Sequence, residues 1–127
     1  MQGIRSGCTL KAVVLTDRLI DFAVTIIEVV DFLPENRLGN HIGSQLLRSG
    51  TSPAPNYAEA VSAESRKDFV HKIGVALKEL RETHVWLRII SRKSLINDAA
   101  LLQKALNECN ELTAIFAASA ATAKRNL

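Results

Sequence analysis

The chain has 127 residues, of which 47% are apolar, 23% charged and 5% aromatic, with only 6 Gly and 3 Pro. That length holds one domain and that composition can fill a core, which excludes both a disordered tail and a pair of ordinary domains. The formal net charge of +3 is too slight to name a partner.

The first fifteen residues carry Arg5 and Lys11 without an apolar run of signal-peptide length, and are expected to be extended or loosely ordered. No later run approaches the roughly 18 apolar residues of a membrane span, so no membrane association and a cytoplasmic address are expected. A helical bundle is expected over 16–127. Its first helix, about 16–33, repeats Leu19, Phe22, Ala23, Ile26, Val30 and Leu33 at helical spacing until Pro34 stops it. The second, about 37–62, starts at Asn36 or Asn40 as cap and carries Leu38, Ile42 and Leu46 four apart. Ser49 to Pro55 reads locally as a breaker, so this helix is expected to be kinked near Pro53 and Pro55.

Ser65 and Asp68 have capping-box spacing and open a third helix over 66–93, with Phe69, Ile73, Leu77, Leu80, His84 and Leu87 inward. Asn97 is expected to cap a fourth helix over 98–124, whose stripe is Leu102, Ala105, Cys109, Leu112, Phe116 and Ser119. No stretch alternates for long enough to make a sheet. The pattern predicts an all-α, antiparallel up-down-up-down four-helix bundle. Cys8 and Cys109 lack metal-ligand spacing, and His41, His71 and His84 lack a Glu-x-x-His partner, so neither a metal nor a cofactor is expected.

Three features exceed a generic bundle. Nine of the twelve residues from Phe22 to Leu33 are apolar, and Val85 to Ile90 is apolar nearly all round. One small core absorbs less than this, which points to a homo-oligomer with Val24, Ile27, Val29, Val30, Trp86 and Ile90 at its interface. Next, Arg48, Ser52, Asn56 and Glu59 share one helix face, and Lys72, Glu79 and Glu82 lie on the following helix. These seven residues are expected to form a buried, mutually satisfied network. An enzyme built on Glu59, Glu79 or Glu82 is the weaker reading, because no nucleophile elbow or phosphate-cradling loop accompanies them.

The third feature is where the charge sits. Ser62 to Lys93 holds eight basic residues against four acidic ones, while the rest of the chain holds eight against nine. Arg66, Lys67, Lys78, Arg81, Arg88, Arg92 and Lys93 are the expected nucleic-acid contacts, since a long basic stripe can follow a phosphate backbone. Repetition of that stripe around a symmetric oligomer would add each copy to one shared field. The competing reading is a solvated face neutralised by intrahelical pairs such as Lys78–Glu82.

Gln45-Leu46-Leu47-Arg48-Ser49-Gly50-Thr51-Ser52, followed by Asn56-Tyr57-Ala58-Glu59-Ala60, resembles the signature of the four-helix-bundle proteins encoded by intervening sequences within bacterial 23S rRNA genes. Ser65-Arg66, Asp68-Phe69, Lys72, Ala76 to Glu79, Glu82 and Trp86-Leu87 extend the likeness, which covers about 17–124 and includes similarity to the accessory variability protein of diversity-generating retroelements. The resemblance implies a ring-like homopentamer without enzymatic activity, and a relative that binds nucleic acid and contacts a reverse transcriptase. Pro53 and Pro55 depart from the family pattern. The expectation is therefore a non-catalytic, homo-oligomeric (pentameric) bundle that binds RNA or DNA through its third helix. The alternative is an adaptor that docks another protein, such as a reverse transcriptase or a ribosomal component.

Overall fold

Thr9 starts the first helix, because its Oγ1 accepts the Ala12 backbone N–H at 3.1 Å and so satisfies a donor that the first turn leaves free. The structure, a computed structural model, describes residues 9–127. Five helical segments follow in order: α1 Leu10–Asp31, α2 Arg37–Thr51, α3 Pro53–Val61, α4 Arg66–Lys93 and α5 Ala99–Arg125. Helix α1 thus begins six residues before Thr16, and residues 10–15, expected to be loose, are helical. Ala12 is buried and Leu15 packs on the core, so the apolar stripe continues back to the Thr9 cap. Cys8 and Arg5 lie outside the described residues.

Local chemistry sets the other ends. Asn36 Oδ1 accepts from Gly39 N at 2.8 Å and caps α2. Ser65 Oγ accepts from Asp68 N at 3.0 Å and caps α4. Asp98, rather than Asn97, caps α5 by accepting from Leu101 N at 2.9 Å. Helix α4 ends at Ser94 in the left-handed region (φ 53°), where the Leu95 N–H turns back to Ile90 O at 3.0 Å.

The expected single helix over 37–62 is two segments separated by Ser52, although Ser52 itself keeps helical angles (φ −73°, ψ −34°). Pro53 and Pro55 have no N–H to give to the carbonyls of the preceding turn, and the ladder resumes when Asn56 N–H reaches Ser52 O at 3.2 Å. Gly50, read as part of a breaker, lies inside α2.

The α2–α3 limb therefore acts as one side of a four-sided, all-helical bundle. Around it, α1 neighbours α2, α3 and α5, and α4 neighbours α2, α3 and α5, while α1 and α4 are not neighbours. Phe22, Ile26, Leu46, Ile73, Leu80, Leu87, Leu112 and Phe116 fill the shared interior. The Tyr57 ring meets Phe116 edge-on, with centroids 5.4 Å apart. Glycine allows α2 to approach α1 closely: a Cβ on Gly50 would lie 2.7 Å from Ile26 Cγ2, and one on Gly39 would run into Pro34 O.

Val29 and Ile90, expected at an oligomer interface, are fully buried in the subunit's own core. Helix α1 turns Val29 to the same side as Phe22 and Ile26, and α4 turns Ile90 to the side of Leu87. Leu38, which shares the four-residue spacing of Ile42 and Leu46, is exposed while those two are buried.

Candidate functional site

The outer face of α4 is fixed by its inner one. With Ile73, Ala76, Leu80, Leu87 and Ile90 buried, the helix directs Lys67, Lys78, Arg81, Arg88, Arg92 and Lys93 to solvent, and Arg66 is exposed at its first turn. At 28 residues this helix is about 42 Å long. Of the acidic residues that share it, Asp68 is exposed in the first turn, and both glutamates are turned elsewhere. Arg48 Nη1 donates to Glu79 Oε2 at 2.9 Å, while Arg48 Nη2 and Trp86 Nε1 (3.1 Å) both donate to Glu82 Oε2. Glu82 therefore points to α2 instead of pairing with Lys78. Among the described residues none of the seven basic side chains takes part in an ion pair.

The seven-residue polar ladder divides into three separate pieces. Arg48 joins Glu79 and Glu82; Asn56 Nδ2 donates to Ser52 O and Oγ, each at 3.0 Å; and Lys72 Nζ donates to Glu59 Oε1 at 2.6 Å. The Arg48 side chain is 50% exposed and that of Glu59 59%, so the expected buried network is instead two surface ties between α2–α3 and α4 and one local, part-buried contact within the α2–α3 limb. The Glu59 carboxylate raises the Lys72 pKa above its ordinary value through its hydrogen bond.

Two polar contacts were missed by sequence reasoning. The Ser49 and Thr83 hydroxyls are buried between α2 and α4 and hydrogen-bonded at 2.9 Å. Both sit at stripe positions, Ser49 three residues after Leu46 and Thr83 three after Leu80, and that was the available signal. Arg18 forks to Glu108 at 2.7 and 2.8 Å and to Glu111 at 2.8 Å, tying α1 to α5. The Glu108 hydrogen bond leads the effects that raise the Arg18 pKa. Nothing in the sequence connects residues 90 positions apart.

On α1 the exposed face holds Val13, Asp17, Ile20, Val24, Ile27 and Asp31, spaced four and three apart, with Asp21 and Glu28 exposed beside them. Of the expected interface residues, Val24 (49% exposed) and Ile27 (43%) belong to this face. Val30 and Trp86 are half-buried against the subunit's own core, and the Trp86 ring meets His41 edge-on at 5.9 Å. The outer face of α4 also carries exposed Val85 and Ile89 among its arginines.

Cys109 is fully buried and its Sγ lies 3.3 Å from Leu80 O. Burial pushes the thiol from its ordinary 9.0 up to about 12. The unfolded chain therefore releases this proton at lower pH than the folded one, so above pH 9 the folded state holds more protons and stability falls as pH rises. Chemical denaturation at pH 8 and pH 10 is expected to show a loss of about 1 kcal/mol from this group, absent in Cys109→Ala.

These features define an all-α four-helix-bundle protein, and among the described residues no helix is long and apolar enough to cross a membrane. The chain belongs to the 23S rRNA-intervening sequence protein family, whose profile matches residues 12–118. It is similar to the crystal structure of a protein of unknown function from the S23 ribosomal protein family of Bacteroides thetaiotaomicron VPI-5482. That likeness has 33% identity and a TM-score of 0.77, and covers 87% of this chain and 98% of the other. No curated protein matches the chain.

Proposed function

We propose that the protein is a non-catalytic, self-associating bundle of the cytoplasm that binds the phosphate backbone of RNA or DNA through the outer face of α4. The observation that carries this reading is a helix face of seven exposed basic residues whose own glutamates are engaged by Arg48. Self-association is supported by the exposed apolar residues of α1, and five copies are what the family resemblance suggests. The non-catalytic part follows the family resemblance, and is supported by the pairing of Glu59 with Lys72 and of Glu79 and Glu82 with Arg48, which leaves the three glutamates considered for an enzyme engaged as ion pairs.

The test is a titration with structured RNA between about 50 and 200 mM salt. Affinity is expected to fall steeply across that range. Replacing Arg81, Arg88 and Arg92 together by alanine is expected to lower the slope of log affinity against log salt by about 3, one for each lost phosphate contact. No binding at the low-salt end, or binding indifferent to salt, overturns the reading. A protein partner on the same face is the second reading, favoured by the exposure of Val85 and Ile89.

A further inference from the structure

At the end of the bundle where α1 and α4 begin and α5 finishes lies a groove of about 680 Å³. That size falls within the roughly 300–1,000 Å³ of small-ligand sites. Three kinds of wall line it. Leu15, Ile115 and the half-buried Phe69 ring give it an apolar floor. Ser119, Thr122 and Asn126, spaced three and four apart, set a polar row along α5. Lys11 and Arg66 stand exposed at the rim, and among the described residues neither is in an ion pair. No carboxylate lines the groove.

Tyr57 also faces this space. The residue is only 8% exposed and its ring packs on Phe116, yet among the described residues its hydroxyl makes no hydrogen bond. No fully buried side-chain oxygen there lacks a partner, so the hydroxyl reaches the groove rather than the core.

A ligand that suits all three walls has an apolar face, a polar edge and an anionic group. A plain acyl chain would cover the α5 row and the Tyr57 hydroxyl without giving them partners, and a simple phosphate would leave the floor bare. An unpaired nucleotide has all three parts. Arg66 supplies continuity, because it lies on the rim and is also the first of the seven basic residues of α4, so a strand following that helix passes the groove. We infer that the groove receives an unpaired base of the bound strand, with its face on Phe69, its edge toward Tyr57 and the α5 row, and its phosphate on Arg66 and Lys11. This rests on the nucleic-acid part of the proposed function, and it makes the preferred ligand a single strand or loop rather than a continuous duplex, whose bases are stacked out of reach.

The test compares two labelled RNA strands of about ten nucleotides with equal numbers of phosphates, one of uridines and one abasic, titrated by fluorescence anisotropy at about 50 mM salt. Wild type is expected to bind the uridine strand about five- to 150-fold more tightly, the range for seating one base on an aromatic side chain. Ala118→Leu with Thr122→Leu narrows the groove from two exposed positions without changing charge, so circular dichroism is expected to stay that of wild type. That variant is expected to bind both strands with the abasic affinity of wild type. Tyr57→Phe keeps the ring on Phe116 and is expected to lose about threefold on the uridine strand alone. Equal wild-type affinity for the two strands, or a narrowed groove that still prefers uridines, overturns the inference while leaving the α4 reading standing. So does binding of structured RNA with neither single strand bound. No binding of any of the three overturns the α4 reading as well.

Discussion

Phe116→Ala is expected to lower the unfolding free energy by about 3–5 kcal/mol. The ring is fully buried on α5 and is met edge-on by Tyr57 from α3, across the interior from one limb to another. Truncation removes apolar area and leaves a cavity that four helices, each held by its other contacts, only partly close. For a chain of 127 residues this corresponds to a drop in melting temperature of roughly 10–20 °C. Differential scanning calorimetry reads it directly, and a loss below about 1 kcal/mol would mean that the interior relaxes around the missing ring.

Gly50→Leu is expected to cost about 3 kcal/mol or more, through overpacking rather than a void. The first side-chain carbon alone would stand 2.7 and 2.8 Å from the two γ-carbons of Ile26 and 3.1 Å from its β-carbon. Ile26 is fully buried and β-branched, so it has little room to turn away. Gly50→Ala meets the same obstacle but gains helix propensity of about 1 kcal/mol, so its net loss is smaller. Combining it with Ile26→Ala removes the obstructing γ-carbons, and denaturant titration of the pair is expected to show favourable coupling. Equal stability of Gly50→Leu and wild type would mean that α1 and α2 can move apart at no cost.

Features encoded within one turn of helix were legible in the sequence; those made between helices were not. The start of α4 could be read because Ser65 and the N–H it caps are three residues apart. The interior stripe of α5 was likewise visible from periodicity, since Leu102, Ala105, Cys109, Leu112 and Phe116 are buried. The burial of Val29 and Ile90 was not, because a helix that is apolar on more than one side gives no local sign of which side meets its neighbours. Gly50 looked like a break because glycine weakens an isolated helix, whereas here it provides room for Ile26. The ladder from Arg48 to Glu59 shared a face as expected, but whether water covers that face depends on how α2–α3 and α4 are set against each other. The basic residues of α4 were found from spacing alone. That their neighbouring glutamates turn to Arg48 is a tertiary fact.

The separation of α1 from α4 across the bundle has a consequence at long range. Carboxylates on one flank and arginines on the opposite flank make the molecule a transverse electric dipole, even though its net charge is small. A strongly charged body would turn it while still a Debye length away, presenting the matching flank before any contact forms. Added salt should therefore slow encounter more than it hastens departure.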